Sequence, residues 1–338
     1  MTRPRRPLVS HSALGFSLIE LMVSLTIGLV IAIAAMSAYL GASSSSKMSD
    51  SQSRMNEDAQ AALNVLAQQI RMAGTNPVQR ANPFGHNPVY DKTYVGGAVT
   101  AYASGATTTY SVSSGPSAFA IRGCDGTFSN MTATSTTSLD LLATCGTSTL
   151  PDSIAVSYEA DRYNTVPSGT APSDCVGSAI PTTVNATFTT GPATTASFSV
   201  ADNRFYIAPS SGITSLMCKG IGSVAQALVE NVEDMQLTYG TVSATSTSTT
   251  ATVAGYLTAY QLVTDTTSPG LGDLTINERW GKVLSVRICI VVRSESPVVT
   301  DAASARYDDC QGNHNVSAPD LRLRRAYSTT VVLRNRRL

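Results

Sequence analysis

One apolar run near the N-terminus sets the strongest limit on what this chain can fold into. It extends from Phe16 to about Leu40, and Glu20 is its only formal charge. As an α-helix the run would be about 37 Å long, which is enough to cross the hydrocarbon core of a membrane. A charged side chain at mid-bilayer costs about 2.5–3.5 kcal/mol. A membrane segment that retains an acid is therefore expected to use it.

The charges on either side of the run predict its orientation. Arg3, Arg5 and Arg6 precede it, whereas only Lys47 and Arg54 follow closely. Positive charge is retained on the cytoplasmic side of a membrane. We therefore expect the N-terminus in the cytoplasm and the bulk of the chain on the other side.

The helix is predicted to continue beyond the membrane, over residues 16–73. Gly74 and Asn76-Pro77 provide the stop, because a proline disfavours helix at the residue before it. The stretch 41–46, Gly-Ala-Ser-Ser-Ser-Ser, contains poor helix formers and predicts local unwinding. Past the membrane, apolar residues recur at helical spacing on one face: Met48, Met55, Ala59, Ala62, Leu63, Leu66 and Ile70.

Composition limits what the rest of the chain can be. The 338 residues include 23 basic and 23 acidic ones, so no strong basic field indicates a nucleic-acid partner. Roughly 265 residues follow the helix, enough for one sizeable domain with long insertions.

All six cysteines lie after the helix, which predicts disulfides in an oxidising compartment. A zinc site is disfavoured because no pair has C-x-x-C spacing and only His86 and His314 follow residue 15. Sequence alone does not choose among the possible pairings, and neighbour pairing is the simplest expectation: Cys124–Cys145, Cys175–Cys218 and Cys289–Cys310.

The domain is predicted to consist of strands divided by low-complexity loops, so that the fold class is α+β, a long helix packed on antiparallel sheet. The range 224–234 fits either a helix or a strand. The predicted strands are β-branched or aromatic: 154–159, 204–207, 235–239, 256–263, 283–292 and 327–333. The predicted loops are rich in Ser, Thr, Ala and Gly: 97–118, 127–139, 182–200 and 241–252.

Residues 15–29, GFSLIELMVSLTIGL, resemble the class III signal of type IV pilins and type II secretion pseudopilins. The resemblance implies that prepilin peptidase removes the leader 1–15 by cutting between Gly15 and Phe16, and that Phe16 becomes N-methylated. It also implies that Glu20 pairs with the N-terminal amine of a neighbouring subunit in a filament. The alternatives are a signal peptide cut near Ala35–Ala38, and an acid that is only tolerated near a helix N-terminus.

Segments that together cover about half of the chain, in order, resemble the PilW family of minor pilins. The matching segments are ALVENVEDMQLTYG, Trp280, VLSVRICIVVRS and YSTTVVLRN, together with DSIAVSYEADRYN, Asp174-Cys175-Val176-Gly177 and Leu216-Met217-Cys218. The J-class pseudopilins of type II secretion share part of this pattern. The resemblance implies an inner-membrane precursor with a transmembrane segment 16–40 in a helix 16–76, and an outer domain 77–338 that reaches the pilus surface after assembly.

No catalytic motif is present: the sequence has no G-x-S-x-G, no phosphate loop and no H-E-x-x-H. We therefore expect no enzyme, no cofactor and no metal, and we interpret Asp308-Asp309 as a solvated turn rather than a calcium site. The resemblance implies other minor pilins, the major pilin and a tip adhesin as partners; a membrane-anchored binding protein outside any filament is the alternative. The C-terminal arginines are predicted to lie on a polar strand face and tail or to meet an acidic partner: Arg322, Arg324, Arg325, Arg334, Arg336 and Arg337.

Overall fold

The computed structural model describes most of the chain, in segments. Its contacts divide the chain into two units, Met1–Asp50 and Ser51–Leu338. The predicted leader, Gly15, Phe16 and the Asn76-Pro77 stop lie outside the described residues, and so does the C-terminal tail. The described residues are 17–75, 99–103, 106–112, 120–129, 145, 151–180, 184–188, 194–220, 224–243, 252–264, 271–272, 274 and 276–333.

Helix α1 extends without a break over Leu18–Met72, a length of 55 residues. The predicted helix is confirmed to within two residues at its described ends. The predicted unwinding at 41–46 is wrong, because the segment is helical throughout. There the Ser44 hydroxyl donates to the Gly41 carbonyl at 2.9 Å, so it is satisfied by the helix itself. The helix ends where predicted, at Gly74, whose positive φ of 69° suits glycine.

The larger sheet of the second unit has eight strands among the described residues, all paired antiparallel. Its order is β1-β2-β5-β6-β4-β3, and β7 pairs with both β6 and β8. Strand β6 has 17 residues and pairs along its length with β5, β4 and β7. The strands are β1 Val99–Ala103, β2 Ala106–Val112, β3 Ile121–Cys124, β4 Ser153–Ala160, β5 Val184–Phe188, β6 Thr194–Ser210, β7 Ile213–Lys219 and β8 Gln226–Glu230.

A second antiparallel sheet follows in the order β10-β9-β11-β14. Two short helices, α2 Ala259–Thr264 and α3 Ile276–Gly281, connect β10 to β11. A two-stranded ribbon, β12 with β13, lies in the segment before β14. The remaining strands are β9 Val232–Thr241, β10 Gly255–Leu257, β11 Val283–Arg293, β12 Arg306–Tyr307, β13 Val316–Ser317 and β14 Arg324–Val332.

The core of the second unit lies where α1 packs on both sheets. Six helix residues are buried in a single apolar cluster with Ile154 and Tyr158 of β4 and with Ile288 and Ile290 of β11. Two residues of the predicted apolar face differ: Met48 is 37% exposed and lies in the first unit, and Leu63 is half-buried. The buried helix residues are Met55, Ala59, Ala62, Leu66, Ala67 and Ile70. The α+β architecture, a long helix with antiparallel sheets, is confirmed.

The two sheets are joined by a buried carboxyl group. Asp152, just before β4, accepts the backbone N–H of Leu237 in β9 at 2.7 Å and that of Gly126 at 3.2 Å. Burial raises the pKa of Asp152 to about 7. At Gly123 in β3, the hydroxyl of Tyr239 from β9 occupies the place where a side chain would begin. The absence of a side chain at Gly123 therefore lets the two sheets approach closely.

Two details of the strand prediction need correction, and the structure decides one alternative that the sequence left open. The range 256–263 is not one strand, because β10 ends at Leu257 and α2 follows. The range 224–234 is two strands, β8 and β9, separated by Asn231 with φ of 62°. The Ser/Thr-rich ranges 97–118 and 182–200 are not only loops, because β1, β2, β5 and the start of β6 lie within them. Threonine fits the pleated backbone, and the hydrogen-bond ladder does not need apolar side chains.

Candidate functional site

The described part of the N-terminal segment begins with a helix cap. Ser17 precedes α1, and its hydroxyl accepts the backbone N–H of Glu20 at 3.3 Å. The Ser17 carbonyl accepts the N–H of Leu21 at 3.1 Å. Ser-x-x-Glu is the pattern of a capping box, a signal in the sequence that the prediction did not use. Glu20 is thereby fixed in the first turn of α1, where the helix dipole favours an acid.

The first unit exposes an uninterrupted apolar surface. Every residue from Leu18 to Leu40 is exposed, and the most apolar window of α1 has a mean hydropathy of 2.4. The hydroxyls of Ser24, Thr26 and Ser37 donate to carbonyls three residues earlier, at 2.8–3.0 Å. Polar groups satisfied inside the helix are compatible with an apolar surrounding. The helix is long and apolar enough to cross a membrane.

All six cysteines form disulfides, and the predicted neighbour pairing is confirmed. The Cα–Cα distances are 5.4 Å for Cys124–Cys145, 6.4 Å for Cys175–Cys218 and 5.6 Å for Cys289–Cys310. The second of these ties the segment after β4 to β7, and the third ties the segment before β14 to β11. Crosslinks of this kind stabilise by about 2–4 kcal/mol, mainly by restricting the unfolded chain.

Two of the described C-terminal arginines, Arg322 and Arg324, take part in the structure of the domain. Arg324 lies at the start of β14. Its guanidinium donates two hydrogen bonds, of 2.6 and 3.0 Å, to the two carboxylate oxygens of Glu233 in β9. The same guanidinium donates to Asp320 at 2.6 Å, and Arg293 of β11 donates to Glu233 at 3.1 Å. Arg322 lies 3.6 Å from Asp320. We call these residues, Arg293, Arg324, Glu233 and Asp320, the Arg324 cluster. Its ion pairs connect β9, β11 and β14.

Replacing Arg324 with alanine is expected to lower the free energy of unfolding by about 3 kcal/mol, because it leaves Glu233 partly buried without its main partner. The Arg324 side chain is only 2% exposed. Urea unfolding followed by Trp280 fluorescence measures the change. The control is Arg325→Ala on the same strand, an exposed residue for which the expected loss is about 0.5 kcal/mol or less. Equal losses in the two variants would contradict a structural role for the Arg324 cluster.

Asp308 and Asp309 form a hydrogen-bonded turn. Asp309 accepts the N–H groups of Gln311 at 3.0 Å and Asn313 at 2.8 Å. Asp308 accepts the N–H of Asn315 at 3.0 Å, and this bond lowers the pKa of Asp308. The carboxylates are thus engaged by their own turn. Across the ranges that the structure describes, no group of three or more His, Cys, Asp or Glu residues is arranged to hold a metal ion.

The part of α1 that belongs to the second unit, residues 51–72, packs on the domain and is called the docked half. Hydrogen bonds hold it at both of its ends. Near its start, Tyr327 of β14 donates to Asn56 at 2.6 Å. Near its end, Asn203 of β6 donates to Gln69 at 2.8 Å. After the helix, Gly74 N–H donates to the Ser157 carbonyl at 2.9 Å. The helix is therefore held on the domain by specific hydrogen bonds as well as by apolar packing.

Glu159 of β4 is a buried acid close to the end of α1. Its side chain is 1% exposed, and neither of its carboxyl oxygens has a hydrogen-bond partner among the residues that the structure describes. Burial, with a smaller contribution from Asp161, raises the pKa of Glu159 to about 8. The group is therefore held protonated at neutral pH in the folded domain. Sequence reasoning did not single it out, because a carboxyl group in a strand is ordinarily expected on the solvent face.

Two family models match this chain, at opposite ends. Residues 11–36, which include the capped start of α1, match the prokaryotic N-terminal methylation motif. Residues 204–335, from the end of β6 through β14, match the type IV pilus-assembly protein W family. No curated protein and no solved structure shows significant similarity. The second match contains the Glu233–Arg324 cluster and the Cys289–Cys310 disulfide. The chain is thus similar to PilW-type minor pilins, with the methylation motif at its N-terminal end and the PilW match over its C-terminal part.

Proposed function

We propose that this protein takes part in the initiation of pilus assembly, within a complex of minor pilins at the filament tip. The observation that carries the proposal is the combination of an exposed apolar helix with Glu20 in its capped first turn and a domain that matches PilW. An exposed apolar helix surface needs lipid or other helices around it. The core of a filament would surround this helix with other helices.

In this proposal the chain is made as an inner-membrane precursor. The arginines of the leader stay in the cytoplasm, residues 16–40 span the membrane, and the domain from residue 77 onward lies in the periplasm. Prepilin peptidase removes residues 1–15 and Phe16 is methylated. On assembly the helix leaves the lipid and packs against the helices of the major pilin and of other minor pilins, and the domain reaches the cell surface.

The role is structural and not enzymatic. Assembly requires two interactions. Residues 16–40 pack against neighbouring helices, and Glu20 pairs with the N-terminal amine of a neighbouring subunit. Pairing offsets part of the cost of keeping a carboxylate in an apolar surrounding, and it sets the axial position of one subunit relative to the next. A tip adhesin held by the minor-pilin complex would be a further partner.

The proposal predicts the N-terminus of the mature protein. Mass spectrometry of the protein isolated from membranes should find a chain that begins with N-methylated Phe16. Inactivation of prepilin peptidase provides the control and should leave Met1 or the unprocessed leader in place. A mature chain that begins at Ala38, or one that keeps its leader in normal cells, would contradict the pilin role and favour a membrane-anchored binding protein.

A J-class pseudopilin of a type II secretion system is the second candidate. The observation in its favour is the LVE segment of β8 and the strand β11, which that class shares in part. Deletion of the gene separates the two candidates. Loss of surface pili and twitching supports the minor pilin, and loss of exoprotein secretion with normal pili supports the pseudopilin.

A further inference from the structure

The loop after β4 presents an apolar tip to solvent. Tyr163 is 80% exposed and Val166 is 81% exposed. They belong to the second unit, apart from the apolar surface of α1 already described. Tyrosine and arginine are the residues most often found at the energetic centres of protein interfaces, and Arg162 lies beside Tyr163. We call Arg162, Tyr163 and Val166 the loop tip.

The loop tip is held in a fixed conformation. One carboxylate oxygen of Asp161 accepts the N–H groups of Tyr163 at 2.7 Å and Asn164 at 2.8 Å. In return, the Asn164 side chain accepts the Asp161 N–H at 2.8 Å. The Thr165 hydroxyl donates to the Asp161 carbonyl at 2.7 Å. A surface fixed before binding loses little conformational entropy when it docks.

The loop tip lies at the end of the domain where α1 ends. Asn164 donates its side-chain N–H to the Glu159 carbonyl at 2.8 Å, and the Glu159 N–H donates to the carbonyl of Thr75 at 3.0 Å. The contact between Tyr327 and Asn56 lies at the other end of the docked helix, about 24 Å away along its axis.

The charge at the loop tip favours a partner with a carboxylate. The Arg162 guanidinium lies 4.8 Å from the centre of the Tyr163 ring and donates to its hydroxyl at 2.5 Å. Asp161 precedes Arg162, and one of its oxygens accepts two backbone N–H groups, which orients this carboxylate toward the backbone of the loop. A symmetric contact between two copies of this chain would bring two Arg162 side chains together, which costs free energy. In the proposed tip complex the neighbours of this chain are other pilins, so we take the partner to be a different chain.

We propose that the loop tip is a docking surface for a different protein subunit, one that presents a carboxylate next to apolar side chains. The inference rests on the proposed pilin function, because it takes the partner to be another subunit of the same filament. The apolar contact with Tyr163 and Val166 gives affinity, and the pairing of the partner's carboxylate with Arg162 gives selectivity.

Site-specific photocrosslinking in piliated cells tests this docking surface. The full-length chain carries p-benzoylphenylalanine in place of Tyr163, and the crosslinked product is identified by mass spectrometry. We expect one product with a different protein chain, joined close to a carboxylate of that chain. Adding Arg162→Glu should lower its yield about tenfold, and changing the partner's carboxylate to lysine should restore it. The matched control places the same crosslinker at Tyr260 of α2, which is 67% exposed and should give no such product.

Several outcomes would overturn the inference: a product with a second copy of this chain, a product with lipid, the same product from position 260, a yield that does not respond to Arg162→Glu, or no product. Processing at Phe16 and piliation are measured in the same cells. If both are normal and any of these outcomes is found, the docking surface is wrong while the pilin function stands. If Phe16 processing is absent, the proposed function fails as well.

Discussion

Replacing Glu20 with alanine is expected to leave cleavage after Gly15 intact and to lower incorporation of the protein into pili about 100-fold. Removing one partner of a buried ion pair costs about 3–5 kcal/mol, because the other charge stays behind in an apolar surrounding. In the proposed filament that other charge is the N-terminal amine of a neighbouring subunit. Immunoblots of sheared pili against membranes measure the incorporated fraction, and pili counted by electron microscopy measure the effect on initiation.

The same substitution has the opposite effect in the membrane, which makes the test specific. Without the carboxylate, residues 16–40 enter lipid more favourably by up to about 3 kcal/mol, so the precursor should remain abundant there. Glu57→Ala is the matched control, since Glu57 is an exposed acid farther along the same helix, and it should not alter piliation. Glu20→Asp keeps the charge and should retain part of the incorporation. Normal piliation by Glu20→Ala would rule out the pairing and leave Glu20 as an acid that the first helical turn only tolerates.

The helix shows what sequence could and could not predict. Its length was predictable, because the apolar run and the amphipathic face follow one period and Gly74 stops it. The prediction of unwinding at 41–46 was wrong because it gave too much weight to the low helix propensities of Ser and Gly. Each of these propensities costs little free energy within a continuous helix of 55 residues. The error at 256–263 was avoidable. Thr258 and Gln261 form a reciprocal capping box, with bonds of 3.3 and 3.0 Å, and Thr-x-x-Gln is readable from sequence.

Some of the site residues could likewise be predicted from sequence, and others could not. Neighbour pairing of the cysteines was the simplest expectation and is confirmed, although sequence alone did not choose among the possible pairings. The Arg324 cluster was not, because it requires β9 and β14 to flank β11 in a register that only the folded sheet provides. In that register Arg293 lies opposite Arg324, and Val292 lies opposite Val232, the residue before Glu233. The burial of Glu159 likewise depends on β4 being covered on both faces, since all eight of its residues are buried. The exposure of Tyr163 depends on the path of the loop that follows β4, and sequence shows neither of these features.

Replacing Glu159 with glutamine is expected to make the domain more stable at alkaline pH and to change little at acid pH. Burial raises the pKa of this carboxyl from its ordinary value of 4.5 to about 8. Between these two values the folded chain keeps a proton that the unfolded chain has lost. The free energy of unfolding therefore falls as the pH rises through this range, and it is highest below the unfolded pKa. One pKa unit corresponds to about 1.36 kcal/mol, so the loss reaches roughly 5 kcal/mol by pH 9.

Glutamine has nearly the same shape and no charge to acquire, so the variant should lack this part of the pH dependence. Urea unfolding of the detergent-solubilised chain between pH 5 and pH 9 measures it, with the single, buried Trp280 as the fluorescent probe. Asp152, whose pKa burial raises to about 7, adds its own pH dependence to the stability of both the wild type and Glu159→Gln. It lies about 23 Å along the strand from Glu159, so its contribution should cancel in the comparison. The exposed Glu57→Gln should follow the wild-type curve. Parallel curves for Glu159→Gln and wild type would mean that Glu159 ionises in the folded domain at an ordinary pH, and its burial in β4 would then have to be relieved by solvent or by a cation.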